Sequence, residues 1–319
     1  MSKNCLTGDA LPNWKIILKL SFCGIITVAA VLGSYFVLRA FHKFRNLRTA
    51  SNNILVSLSI ADGLLAIPMI LDIIRLFLQL YNVGHCSLLK EVSGTVTLFL
   101  LSVIILHLTL MSSERFIAIR FALRYQAIVT KRRVRIVSIA MWLWALVIVI
   151  ALPWTLYGIT GHKEFREFPI GMHPDSDKAQ ELHIRWHLVF TAASMFLVPL
   201  LIMICSYTYI FIVSYKQRQR VRKQSRDVPG MPTVKHEMKG ARTLAIVVAL
   251  CLLSIILILV VTSLRVFWGT LLAGHYHQKL LQHVVYKVAM LLNAACNPLT
   301  YGWRNEEFRN AFRKMLKCC

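Results

Sequence analysis

The chain has 319 residues, of which 57% are apolar and only 16% charged, against about 25% charged in an average soluble domain. Its 37 Lys and Arg against 14 Asp and Glu give a formal charge of +23, a balance that would suit nucleic acid if the cations lined one soluble face. They are confined instead to short segments between long apolar runs, which excludes both an ordinary soluble domain and a nucleic-acid binder.

Seven runs follow one another along the chain. Residues 20–38, 92–113, 136–157, 188–215 and 243–264 carry no charge, 53–71 is interrupted only by Asp62, and 284–303 only by Lys287. Each is about the 20 residues that a helix needs to cross hydrocarbon, where a helix satisfies its own backbone hydrogen bonds. The reading is an all-α membrane protein, a seven-transmembrane helix bundle, with residues 16–303 forming the bundle, 1–15 an extracellular leader, and 304–319 a short amphipathic eighth helix and cytoplasmic tail.

Orientation follows from the cations. The alternate connections 39–48, 115–135, 216–242 and 304–317 hold 25 of the 37 Lys and Arg. The excess of basic residues marks the cytoplasmic side, which puts the amino terminus outside and the carboxyl terminus inside. No cleavable signal peptide is visible, so the first span serves as the insertion signal. Two loops are long, 158–185 outside and 216–234 inside. The second is strongly basic and closes on Pro229, Gly230 and Pro232. It suits either anionic lipid or a partner surface.

Polar residues inside the spans carry the functional signal, because intramembrane charge persists where it faces other helices or water. Asp62 lies in mid-span 2, and Asn293 and Asn297 share one face of span 7. Glu114 and Arg115 are adjacent at the inner end of span 3, and Pro68, Pro153, Pro199 and Pro298 each break a helical ladder within or beside a span.

With these residues in view, the chain resembles the rhodopsin-like (class A) G-protein-coupled receptors. "LSIAD" places Asp62 like the family's sodium-site Asp. "SERFIAIRFALRY" is similar to the Asp/Glu-Arg-Tyr motif, with Glu114, Arg115 and Phe116 in its three positions. Trp144 and Pro153 look like the pair of span 4, and Pro199 and Tyr207 match span 5. "NPLTY", from Asn297 through Pro298 to Tyr301, matches the motif of span 7. Three features depart from the pattern. Ser34 stands for the usual Asn of span 1, Ile255 and Leu257 for the Trp and Pro of span 6, and the long outer loop lacks the usual Cys.

The resemblance implies a plasma-membrane receptor that couples an extracellular ligand to a heterotrimeric G protein, not an enzyme. Its coupling switch would comprise Glu114, Arg115, Tyr207, Glu237, Asn297, Pro298 and Tyr301. Glu114 and Glu237 would hold Arg115 at rest, and outward movement of span 6 would release it toward Tyr207 and Tyr301. Asp62, Asn293 and Asn297 would form a polar network that holds Na+ or water, although Ile104 replaces the expected hydroxyl of span 3. No other cofactor is expected, and no metal centre. Cys5 and Cys86 are either bonded or two free thiols, and Cys318 and Cys319, following an amphipathic helix, are palmitoylation candidates. His107 reads as an interhelical packing residue.

The ligand is read from the outer half of the bundle, where Asp72, Thr97, Arg265 and Lys287 line the candidate pocket. Thr97 stands where amine receptors carry Asp, and Leu291 where opsins carry their retinal Lys. The span 3 exit looks closest to the adenosine and melanocortin branches, but neither ligand is supported residue by residue. If Asp72 pairs with Lys287, then Arg265, with Arg75 and Lys90 near the rim, favours an anionic ligand. Snorkelling to the interface is the bland alternative. Two other classes stand beside this one. One is a proton- or metal-sensing receptor of the same fold, suggested by outer histidines such as His183 and His187. The other is a seven-helix transporter or channel, for which the expected internal repeat is missing.

Overall fold

A computed structural model describes residues 13–81, 86–152, 186–187, 189–224, 253, 256–257, 260 and 306–316. Helix α1 (Asn13–Lys43) contains the first uncharged run. A short 3-10 turn (Arg45–Leu47) leads to α2 (Ala50–Leu64) and α3 (Ala66–Leu80), then α4 (Cys86–Arg120), α5 (Tyr125–Ile128), α6 (Lys131–Leu146), α7 (Val198–Gln224) and α8 (Glu306–Leu316). Among the described residues there is no strand. Among the described residues four stretches are long and apolar enough to cross a membrane: Ala50–Leu78, Val92–Arg120, Lys131–Ala151 and Val189–Lys216. They coincide with spans 2 to 5. Span 7, all of span 6 but residues 253, 256–257 and 260, and the candidate residues Glu237, Arg265, Lys287, Asn293, Asn297, Pro298 and Tyr301 lie outside the described residues, as do Cys5, Cys318 and Cys319.

The helices start and bend where their side chains dictate. Thr49 and Thr130 cap α2 and α6, their hydroxyls accepting from the Asn52 and Arg133 amides at 3.2 and 3.3 Å, so an otherwise orphaned donor is satisfied at each start. Span 2 is two helices because Pro68 has no amide hydrogen and its ring crowds the carbonyl of Leu64, the last residue of α2. Spans 4 and 5 answer their prolines differently. Each opens into a wider π turn, Val147–Ala151 before Pro153 and Ala193–Leu197 before Pro199. The residue four before each proline in the sequence, Val149 or Met195, belongs to the widened turn.

The core sits around α4. Residues 100–109 are buried without interruption, because α4 is packed by α2, α3, α6 and α7 at once. A helix apolar all round is the expected central element. Span 4 is peripheral and exposes Ile136, Ile139, Leu143, Trp144 and Val147, a face suited to lipid. The amphipathic α8 rests on α1 and the 3-10 turn and buries Ala311 and Met315 there.

Candidate functional site

At the Arg115 end of α4 the chain builds a compact ionic cluster. Glu114 is 3% exposed, and one of its carboxylate oxygens lies 3.1 Å from the Arg115 Nε. The other accepts a hydrogen bond from the Tyr125 hydroxyl, which α5 delivers from the connection to span 4. Arg115 reaches sideways as well, donating from Nη2 to the Ser51 Oγ on the first turn of α2 at 3.2 Å. Breaking one partner of such a pair is costly, since the other is left charged and poorly solvated. Tyr125 lies between the membrane-crossing stretches. Burial, followed by the hydrogen bond and the charge of Glu114, pushes its phenol up to about 12 against an opposing pull from Arg115. It is therefore a hydrogen-bond donor throughout the physiological range. Phe116, in the motif's third position, packs edge-on against Tyr209 of α7 with ring centroids 4.9 Å apart, and Tyr207 packs partly buried against the core.

One turn or more deeper, three spans meet at His107. Its Nδ1 lies 2.8 Å from the Val103 carbonyl, which can only accept, so Nδ1 carries the hydrogen. Nε2 then accepts from the Ser57 hydroxyl of α2 at 2.8 Å, and Ser57 in turn accepts from the Trp142 indole of α6 at 3.0 Å. Every donor has one acceptor. His107 is thus a packing residue, as its solitary position suggested. Trp142 points inward, while Trp144, the tryptophan that the sequence matched to the family's span 4, is 47% exposed, and Pro153 lies outside the described residues. The two tryptophans are two residues apart, about 200° around the helix, so only one can face the bundle.

Asp62 is buried in the last turns of α2, as are Ser59 one turn before it and Ser34 of α1. The approach of α1 to α2 is close. A Cβ at Gly63 would stand 3.1 Å from the Ser34 Cβ and 3.2 Å from its Oγ. The small residue in place of the family's Asn is matched to this glycine. Ile104 is fully buried where the family's hydroxyl was expected.

In the half of the bundle away from Arg115, Asp72 is buried and ion-paired with Arg75, Nε to Oδ1 3.5 Å, one helical turn along α3. Arg75, left at the rim by the sequence reading, is thus a partner of Asp72 rather than spare positive charge. Thr97 is half-buried on α4. Nearby, Ser93 of α4 donates to the Pro68 carbonyl at 3.0 Å and ties span 3 to the break in span 2. His187 is buried against span 4, its Nε2 3.2 Å from the Ile148 carbonyl inside the π turn. His183, its suggested companion, lies outside the described residues.

Tyr125, Ser51, Ser57 and Trp142 were not found by sequence reasoning. The tyrosine had a usable signal, lying in a short segment between two spans, eleven residues beyond Glu114. Cys86 begins α4.

The pattern of the 7 transmembrane receptor (rhodopsin family) matches residues 33–301. The chain belongs to this family. It is 28% identical over 305 residues to adenosine receptor A2a of Canis lupus familiaris, covering 92% of this chain and 70% of that one. To octopamine receptor beta-1R of Drosophila melanogaster it is 25% identical, covering 95% and 62%. To tachykinin-like peptides receptor 86C of the same fly it is 27% identical, covering 93% and 58%. The chain thus spans less than two thirds of the two fly receptors. It is a multi-pass, G-protein-coupled cell-surface receptor and not an enzyme. Relatives named for a nucleoside, an amine and a peptide match at nearly the same identity, so similarity alone selects no ligand.

Proposed function

We propose that this receptor lies with its amino terminus outside and passes the binding of an extracellular ligand to a heterotrimeric G protein through Arg115. The cluster of Glu114, Arg115, Tyr125 and Ser51 supports this reading most directly. In the resting state it occupies the one cation that a G protein's docking segment would need free. Glu237 adds a second restraint on Arg115, and Tyr207, Asn297, Pro298 and Tyr301 accept the arginine when span 6 moves out. An agonist drives the change only through its greater affinity for the released state.

The remaining assignments rest on the same reading. Asp62, with Asn293 and Asn297, holds Na+ or ordered water. Cys5 and Cys86 are bonded in the oxidising exterior, which mass spectrometry of unreduced peptides tests. Cys318 and Cys319 carry palmitate, which hydroxylamine-sensitive labelling tests. The ligand is anionic and is held by Arg265 and Lys287. Asp72 pairs with Arg75, and the excess of cations over carboxylates among Asp72, Arg75, Lys90, Arg265 and Lys287 supports an anionic ligand over a cationic one.

The deciding experiment is a second-messenger screen of cells that display the receptor, against ligand panels and at several pH values. A ligand-dependent response in wild type that is lost in a well-displayed Arg115→Ala variant is expected. A response that persists in that variant would overturn the role given to Arg115.

A further inference from the structure

Helix α1 carries one face that no described helix covers. Leu32, Tyr35, Phe36, Arg39 and Lys43 recur at spacings of three and four, which stacks them on one side of a helix. All five are exposed. Leu32, Tyr35 and Phe36 suit acyl chains. Arg39 does not. Its Nη1 donates to the Tyr35 hydroxyl one turn nearer the middle of the span, and its guanidinium lies 5.6 Å from the centre of the Tyr35 ring. Among the described residues no carboxylate lies within ion-pair distance of Arg39 or Lys43. A cation held at the edge of hydrocarbon without a counter-charge is costly.

We propose that this face binds the headgroup of an anionic phospholipid of the cytoplasmic leaflet, with Arg39 and Lys43 on its phosphate and its acyl chain along Leu32 and Phe36. The proposal takes its leaflet from the orientation proposed above, but its test does not depend on signalling. The chemistry is complementary at each point. The Tyr35 oxygen accepts from Arg39, which leaves the phenol hydrogen to be donated to a phosphate oxygen. Arg39 keeps further N–H groups for the same anion. Two cations in line select a net anion over a sterol, whose neutral hydroxyl would leave both charges uncompensated. Each cation near the leaflet surface contributes about fivefold in lipid affinity.

The test is native mass spectrometry of the full chain released from bilayers of phosphatidylcholine with phosphatidylserine and cholesterol. Wild type is expected to retain phosphatidylserine. Arg39→Gln should retain about fivefold less, Arg39→Lys an intermediate amount, and Arg132→Gln, which removes an exposed cation of α6, as much as wild type. Melting in phosphatidylcholine alone confirms that each variant folds, and if Arg39→Gln fails there, Lys43→Gln takes its place with the same expectation. Equal retention by the α1 variants and wild type would overturn the site. So would an equal loss in Arg132→Gln, which would mean diffuse attraction, or retention of cholesterol in place of phosphatidylserine. Displacement of the lipid by soluble glycerophosphoserine would identify a free-anion site and overturn the lipid assignment.

Discussion

Tyr125 donates its phenol hydrogen to the same Glu114 carboxylate that holds Arg115. The connection between spans 3 and 4 therefore takes part in the ionic cluster at the end of span 3, and the proposed release of Arg115 would involve that loop as well as span 6.

Tyr125→Phe should raise ligand-independent signalling. A charge-assisted hydrogen bond is lost, worth about 1 kcal/mol once discounted for partial exposure, so the active population should rise up to about fivefold. The phenol's raised pKa fixes the sign with pH: the contact contributes fully below the ordinary tyrosine value near 10 and is lost as pH climbs through about 12. Basal second-messenger output, compared at matched surface display, checks this. No rise in Tyr125→Phe would remove the loop from the switch.

Glu237→Ala should also raise basal output if that carboxylate restrains Arg115. A well-displayed variant with unchanged basal signalling would eliminate Glu237 from the lock while leaving the Glu114 contact intact.

The hydrogen-bonded chain Trp142, Ser57, His107 predicts a contrast between neighbours. Trp142→Phe removes a donor between spans 2 and 4 and should lower stability by about 0.6–2 kcal/mol. Trp144→Phe, on the exposed face, should change melting little. His107→Leu should cost at least as much as Trp142→Phe, because it strips partners from both Ser57 and Val103. Melting curves in bilayer discs decide, and equal effects of the two tryptophan variants would contradict the inward assignment of Trp142.

Gly63→Val should destabilise the contact of α1 with α2 by about 1–3 kcal/mol, since a Cβ at this position already stands 3.1 Å from Ser34 and two further methyls must be accommodated. Ser34→Gly in the same chain removes both clashing atoms and should recover part of the loss. Additive melting shifts for the pair would show that the two positions do not press on one another.

Once an agonist is known, Arg265→Ala and Lys287→Ala should each raise its half-maximal concentration at least tenfold, about 1.4 kcal/mol if potency follows affinity. A cationic agonist, or one indifferent to both substitutions, would end the anionic pocket.

The spans were legible because hydropathy needs no tertiary information: an apolar run of sufficient length crosses hydrocarbon whatever its neighbours. Glu114 and Arg115 were legible for the related reason that adjacent charges at a span's end are rare and expensive. Phase around a helix was less accessible. Span 4 is apolar on every side, so nothing in its composition told Trp142 from Trp144; only the Ser57 acceptor does. The Asp72–Arg75 pair could have been read, since residues three apart meet on a helix. Ser51 and Tyr125 lie where polar residues are ordinary, and their roles come from the fold bringing them to Arg115.

The two π turns have a consequence for comparing this receptor with its relatives. A widened turn accommodates one residue more than an α turn, so the chain beyond it is rotated by about 100° relative to an unbroken helix. Counting from Lys131 through the first of these turns, or from α7 back through the second, with an α-helical ruler therefore assigns the wrong azimuth to the residues on its far side. A ligand contact placed on this chain across either turn by ideal helical geometry would be displaced by a full residue. Transfers made on the Tyr207 side of Pro199, within the regular helix α7, keep their phase.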